Sequence, residues 1–258
     1  MSRINDEPRR HPQKTHDRIA QRASSTHAES VVLSVIIPAL NEAENLPASI
    51  ASAFSSSRVE VIVVDGGSTD ATRAVAEAQG ANVIASPPGR ARQMNAGAAA
   101  AAGRVLVFLH ADTRLPVGYE RQIETVLARP GVVAGAFPLA FDQLTRSLRL
   151  IQAAANWRSR YRQLPYGDQA LFLERRTFVR MAGYSDLPVM EDYDFVQRLR
   201  REGSLRLASD PVITSARRWL RTGVWRTTWT HQCMILGWHL GLAPARLARW
   251  RENPVFDA

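Results

Sequence analysis

The chain has 258 residues, with 33 basic against 24 acidic side chains for a net charge of +9, and 45% of its residues are hydrophobic. That size and apolar share suit one large α/β domain or two small ones. The single cysteine, Cys233, excludes a disulfide framework and a multi-cysteine zinc site and reads as a packed thiol from a reducing compartment, and no window reaches the ~18 to 20 uninterrupted apolar residues of a membrane span.

Residues 1–30 are rich in Arg, His, Ser, Glu and Pro and hold no apolar run long enough for a secretory signal, so a disordered polar tail is expected there. Its six basic and four acidic residues make it a poor nucleic-acid arm. Leu33 to Pro38 (LSVIIP) then reads as a strand, and Asn41-Glu42-Ala43-Glu44 as the N-cap signature of a following helix. The pattern repeats. Val59 to Val64 (VEVIVV) reads as a buried strand, Asp65 to Asp70 as a turn, and Ala71 to Gln79 as a helix ended by Gly80. A short strand at Ala81 to Ala85, the breaker Pro87-Pro88-Gly89 and an alanine-rich helix to Ala102 make a third unit, and a fourth strand, Arg104 to Leu109, ends at His110-Ala111-Asp112.

Apolar strands alternating with helices at this spacing imply an α/β fold with a mainly parallel sheet covered on both faces, its ligand at the carboxyl ends of the strands. Asn41, Glu42, Asp65 and Asp112 all fall at such ends. Beyond Pro116 the pattern predicts a helix over Tyr119 to Ala128, strand-like Val132 to Phe141, and a polar helix around Leu144 to Tyr161. A turn at Pro165 to Asp168, a strand at Ala170 to Leu173 and a turn at Gly183 to Asp186 precede a helix that begins near Met190, with three acids in its first turn. Short strand-like pieces follow between Ser204 and Thr214.

From Arg198 to Ala258 there are eleven arginines against four acids, and five of the six tryptophans. The run with Trp225, Trp229, Cys233, Leu236 and Leu240 reads as an amphipathic helix whose stripe packs into a core, with an interfacial helix lying on an anionic membrane as the alternative.

No G-x-G-x-x-G and no G-x-x-x-x-G-K-[ST] occurs, so a bound diphosphate needs a divalent cation or arginine forks. Asp112, at a strand end, is a candidate metal ligand or a turn cap before Thr113. His110 is a second ligand or a packed strand-end histidine. Asp65 suits a base or ribose, with Gly66 and Gly67 allowing close approach, or is a turn aspartate bonding its own backbone. Arg90 and Arg92, just before a helix, suit phosphate or are solvated arginines. In the Glu191-Asp192 pair, Asp192 is the candidate base for a transfer to a hydroxyl.

The runs LSVIIPALNEAENL, VEVIVVDGGSTDAT, GRARQMNAGAAAAAGRVLVFLHADT and MEDYDFVQRLRREG, in this order over residues 33 to 203, resemble the family 2 glycosyltransferases of GT-A fold. The HAD triplet, PYGDQALFL and SARRW resemble, more narrowly, a bacterial subgroup associated with radical-SAM proteins and arsenosugar biosynthesis. The resemblance implies a Rossmann-like GT-A domain over 31–215 and a C-terminal helical acceptor-side extension over 216–258. It implies an inverting, metal-assisted transfer of a sugar from a nucleotide-diphosphate donor to an acceptor hydroxyl, with Mn²⁺ or Mg²⁺. Pro38, Ala39, Asn41, Glu42 and Asp65 would line the nucleotide pocket, Asp112 would bind metal with the diphosphate, and Asp192 would be the base. His110 replaces the first acid of the family's D-x-D, and Ser215 replaces the Gln of a Q-x-x-R-W motif, leaving Arg218 and Trp219 as acceptor or diphosphate contacts. A sugar-phosphate nucleotidyltransferase is a rival that the missing glycine-rich basic loop argues against, and a basic RNA- or membrane-binding protein is another. The expected location is cytoplasmic, with peripheral contact at the inner membrane face.

Overall fold

The computed structural model describes residues 32–252, so the tail expected over residues 1–30 lies outside the described residues. The described residues cluster as one compact unit. In chain order, β1 (Leu33–Ala39), β2 (Val59–Asp65), β3 (Asn82–Ala85) and β4 (Val105–Phe108) alternate with α1 (Leu46–Ala53), α2 (Thr72–Ala78) and α3 (Arg90–Ala100). Next come β5 (Thr113–Arg114), α4 (Tyr119–Leu127), β6 (Val132–Ala136), β7 (Leu139–Phe141) and α5 (Arg146–Arg162). A short 3₁₀ turn (Gly167–Gln169) leads to β8 (Leu171–Glu174), α6 (Arg175–Arg180), α7 (Glu191–Glu202), β9 (Ser204–Leu207) and β10 (Val212–Thr214), and α8 (Arg217–Thr222), α9 (Val224–His239) and α10 (Pro244–Glu252) close the chain.

A seven-stranded sheet has the order β3-β2-β1-β4-β8-β6-β9. Its β1–β2, β1–β4, β2–β3 and β6–β9 pairs are parallel, and β8 runs antiparallel to both β4 and β6. Along β1 successive side chains enter opposite cores. Val35 and Ile37 join α1 and α4 residues such as Ile50 and Ile123, and Ile36 joins Met94 of α3 and Phe195 of α7. Burial on both faces is what a continuous apolar strand requires, and each such side chain contributes about 1.5–3 kcal/mol. Gly97 lets α3 press onto β1, since a Cβ there would sit 2.4 Å from the Ile36 methyl.

Three sequence readings are corrected by this arrangement. The helix after β1 starts at Leu46 with Asn45 as its cap residue, later than the Asn41 signature predicts. Asn41 instead takes a left-handed conformation (φ 53°) and ties the β1 loop to the β2 loop. Its Oδ1 accepts from the Thr69 N–H at 2.9 Å, and its own N–H donates to Ser68 Oγ at 2.9 Å. The stretch Val132 to Phe141 is two strands, because Pro138 has no N–H to continue a ladder. After that break β7 leaves the large sheet and joins a three-stranded one of order β5-β10-β7. Finally, the stripe on α9 faces outward. Trp225, Trp229, Leu236 and Leu240 are exposed, and the residues α9 buries are Thr227, Thr230, Met234 and Gly237. Among the described residues no helix is long and apolar enough to cross a membrane.

Candidate functional site

A cleft of about 720 Å³ opens where β1 and β4 end. Its floor holds Pro38 and Ala39 at the end of β1 and Glu42 just after it, Arg90 at the start of α3, and His110 and Asp112 after β4. Glu191 and Asp192 enter from the first turn of α7, and Arg218 and Trp219 from α8. These ten residues, scattered through the sequence, share one space. Asn41, Asp65, Gly67 and Arg92 do not line it. Asn41 and Asp65 brace the loops behind it, with Asp65 Oδ1 accepting from the Ser68 N–H at 3.1 Å. Gly67 is exposed in that same loop at φ 93°. Arg92 points to solvent in an ion pair with Asp186 at 2.9 Å.

The strand ends are held by a residue that the sequence reading missed. Gln93, 5% exposed, donates both amide hydrogens of Nε2, to Ala39 O at 2.9 Å and Val64 O at 2.8 Å. It fastens the ends of β1 and β2 together beneath the cleft, and the neighbouring Gly66 leaves room for its amide, 2.9 Å from where a Cβ would stand. Its only sequence signal is its place one turn after Arg90.

Asp192 sits where α7 begins, after Met190 in a left-handed conformation. Its Oδ2 accepts from the Gly167 N–H at 2.8 Å and its Oδ1 from the Tyr193 N–H at 2.7 Å, so the carboxylate has a fixed orientation in the cleft. Glu191 is 3% exposed and pairs with Arg90 at 3.4 Å. Burial works against the Arg90 charge, but the fields of Glu191, Asp192 and Asp112 outweigh it and hold its pKa above the usual arginine value. Arg90 is thereby a fixed cation facing three acids.

Burial, with Arg90 and Arg218 nearby, holds the His110 imidazole well below its ordinary pKa, so the ring is neutral at neutral pH. Its Nε2 is buried and has no hydrogen-bond partner. Asp112 accepts one long hydrogen bond, from Thr113 Oγ1 at 3.4 Å. An unpaired ring nitrogen and a nearly unpaired carboxylate two residues apart are donors of the kind that hold a divalent cation. Among the described residues no group of three or more His, Cys, Asp or Glu is placed to hold a metal by itself. A divalent cation held by Asp112 and His110 would need further ligands, such as the oxygens of a bound diphosphate.

Asp168, in the 3₁₀ turn, also lines the cleft, and its Oδ1 is buried without a partner. Burial pushes its carboxyl up to about 6 from 3.8, opposed by Arg158 and reinforced by Asp192 and Asp112. Between those values the folded protein keeps a proton that the unfolded chain releases, so stability is greatest below the lower value and declines as pH rises through the upper one. Urea midpoints taken from pH 4 to 7 are expected to show that decline, about 1–3 kcal/mol, and Asp168→Asn to flatten it. An unchanged slope in the variant would assign the effect elsewhere.

The opposite wall is apolar and aromatic. Ile151 and Trp157 come from α5, Val189 precedes α7, and Ile235 comes from α9. The Arg158 guanidinium stacks 3.4 Å over the Tyr166 ring, and Tyr193 Oη is 2.7 Å from His239 Nε2, tying α7 to the end of α9.

Against known protein families, residues 34–184 match the description Glycosyl transferase family 2. The chain belongs to this family. Among curated family relatives, an uncharacterized glycosyltransferase of Mycobacterium tuberculosis is 38% identical over 87 residues, which are 33% of this chain and 39% of that one. The matched region thus spans well under half the length of that relative. Of solved structures, Staphylococcus aureus TarS 1-349 superposes with a TM-score of 0.56 at 15% identity, covering 72% of this chain and 60% of that one. Glucosyl-3-phosphoglycerate synthase from M. tuberculosis, in complex with Mn²⁺, UDP and glucosyl-3-phosphoglycerate, gives 0.53 at 20% identity, covering 81% and 77%. A mannosyltransferase from Pyrobaculum calidifontis, in complex with GDP-Man and Mn²⁺, gives 0.54 at 19% over 71% and 56%. At these identities the likeness establishes the GT-A fold that the sequence motifs imply. The family 2 match ends at residue 184, so Glu191, Asp192 and the α8–α10 helices lie beyond it.

Proposed function

We propose that this chain is an inverting glycosyltransferase that moves a sugar from a nucleotide-diphosphate donor to an acceptor hydroxyl. The observation that carries this reading is the single cleft in which Asp112, Arg90 and Arg218 meet Asp192 at the carboxyl ends of β1 and β4. Family membership supports it, as do the UDP- and GDP-Man-bound states of the structural relatives.

In one displacement the acceptor oxygen attacks the anomeric carbon while Asp192 takes its proton. The bond from that carbon to the diphosphate breaks, and its electron pair leaves with the nucleoside diphosphate. Arg90 and Arg218 face the charge that develops on the leaving oxygens, a stabilisation worth most in a site closed to water. The Gly167 and Tyr193 N–H groups orient the base, and Glu191 positions Arg90. Pro38, Ala39 and Glu42 border the nucleotide, and Asn41, Asp65 and Gln93 hold the loops that carry them. A divalent cation held by Asp112 and His110 with the diphosphate would supply charge neutralisation there.

The acceptor is a hydroxyl compound from arsenosugar or glycolipid biosynthesis, the arsenosugar alternative resting on the HAD, PYGDQALFL and SARRW segments. A cytoplasmic location belongs to the same reading. Calorimetric titration of the wild-type chain with UDP, GDP, ADP, CDP and TDP, with and without Mn²⁺, tests it without knowledge of the acceptor. Metal-dependent binding of one diphosphate is expected; no binding of any of them, or of their sugar nucleotides, would overturn it.

A further inference from the structure

Two helices that wall the cleft also turn apolar stripes outward. On α9, Trp225, Trp229, Leu236 and Leu240 recur at helical spacing and are 55% to 70% exposed. On α5, Leu150, Trp157 and Tyr161 are 57% to 67% exposed, with the two aromatic rings 5.9 Å apart. Both stripes reach the cleft mouth. Trp157 lines the cleft while exposed, and so does Gln232, which lies on the stripe face of α9, three residues after Trp229 and four before Leu236. The two helices pack against each other.

The segments that include these stripes are rich in one sign of charge, although Arg217 is paired with Glu42 and Glu44, and Arg158 and Arg218 line the cleft. Residues 146–162 contain five arginines and residues 217–251 seven, and neither segment contains an Asp or a Glu. Soluble proteins rarely leave two Trp- and Leu-bearing helix faces open side by side. Aromatic rings and leucines edged by arginine match the boundary of an anionic bilayer, where rings sit at the headgroup level and cations meet lipid phosphates. A second copy of the chain fits less well, because the same face would set arginine against arginine across a twofold interface.

We propose that the outer face of α5 and α9 docks on an anionic lipid bilayer and sets the cleft mouth against it, so that the acceptor hydroxyl is presented by a lipid. The acceptor clause rests on the transferase reading above; the docking does not.

The full chain, spun with vesicles of phosphatidylglycerol and phosphatidylcholine, is expected to sediment with them, to be released by salt, and to stay in solution with phosphatidylcholine alone. The quadruple variant Trp225→Ser, Trp229→Ser, Leu236→Ser, Leu240→Ser should reduce vesicle binding at least tenfold while keeping the nucleoside-diphosphate affinity of the wild type, since none of the four lines the cleft. Arg149→Glu with Arg160→Glu, both exposed on α5, should produce a similar loss and serves if the first variant fails to fold. Absence of wild-type binding at low salt, or a wild-type dimer that the serine variant converts to monomer, overturns the proposal. Vesicle binding in a chain that binds no nucleotide would leave the docking intact and remove the transferase reading.

Discussion

Asp192→Asn is expected to lower sugar transfer by roughly 10²- to 10⁴-fold, the range a positioned base supplies, while leaving donor affinity within a few-fold of wild type. The amide matches the carboxylate in volume and keeps an oxygen for the Gly167 or Tyr193 N–H, so the start of α7 stays in place. What it lacks is basicity. Initial rates of transfer set beside calorimetric nucleotide titrations separate these effects, because loss of binding would point to a collapsed cleft and loss of rate alone to chemistry. Retention of most activity would remove Asp192 from the reaction and turn attention to Asp168, a neighbouring cleft carboxylate.

Asp112→Ala is expected to cost roughly 10²-fold in Mn²⁺-dependent diphosphate affinity, a loss in keeping with the several kcal/mol that a cation contributes against phosphate charge. The fold should tolerate the change. The Asp112 side chain accepts only the long Thr113 bond, and the contact tying this loop to β10 runs through its backbone carbonyl, which accepts from the Ser215 N–H at 3.0 Å. Arg90 and Arg218 remain in the variant, so a weaker, metal-independent affinity should persist. Titrations of both proteins with and without Mn²⁺ decide the matter: identical affinities would strip Asp112 of a metal role, and total loss in the absence of metal would give it a structural one.

The part of the fold that could be read from the sequence is the part governed by short-range periodicity. β1 to β4 are apolar runs buried on both faces, so their composition announces them, and the polar residues at their ends fall where a parallel sheet places ligands. The rest depends on partners distant in sequence. An Asn-Glu-Ala-Glu run looks like a helix start until the β2 loop offers Ser68 and Thr69 to Asn41. The spacing of Trp225 and Trp229 shows that α9 has two faces but not which one the rest of the chain covers. β5 and β7 are too short for any pattern, and exist because β10 lies between them. Gln93 and the Gly167 N–H are illegible for the same reason, since each pairs with a group more than twenty residues away, Gln93 with the Ala39 carbonyl and Gly167 with the Asp192 carboxylate.

The turn of the chain at Pro138 has a consequence for how such a protein diversifies. Beyond it, Leu139, Phe141, Leu148, Ala155 and Ala216 form a small core of their own, with Ile151, Trp219 and Val224 packed against it. The strands beneath the nucleotide side draw on the two larger clusters instead. Changes of side-chain volume in the small core therefore reshape one bank of the cleft while the other keeps its geometry, because substitutions that share no packing partner act independently. On the proposed transferase reading, substitutions in the small core would alter the bank beside α5 and α8 with little effect on the β1 and β4 ends that border the nucleotide.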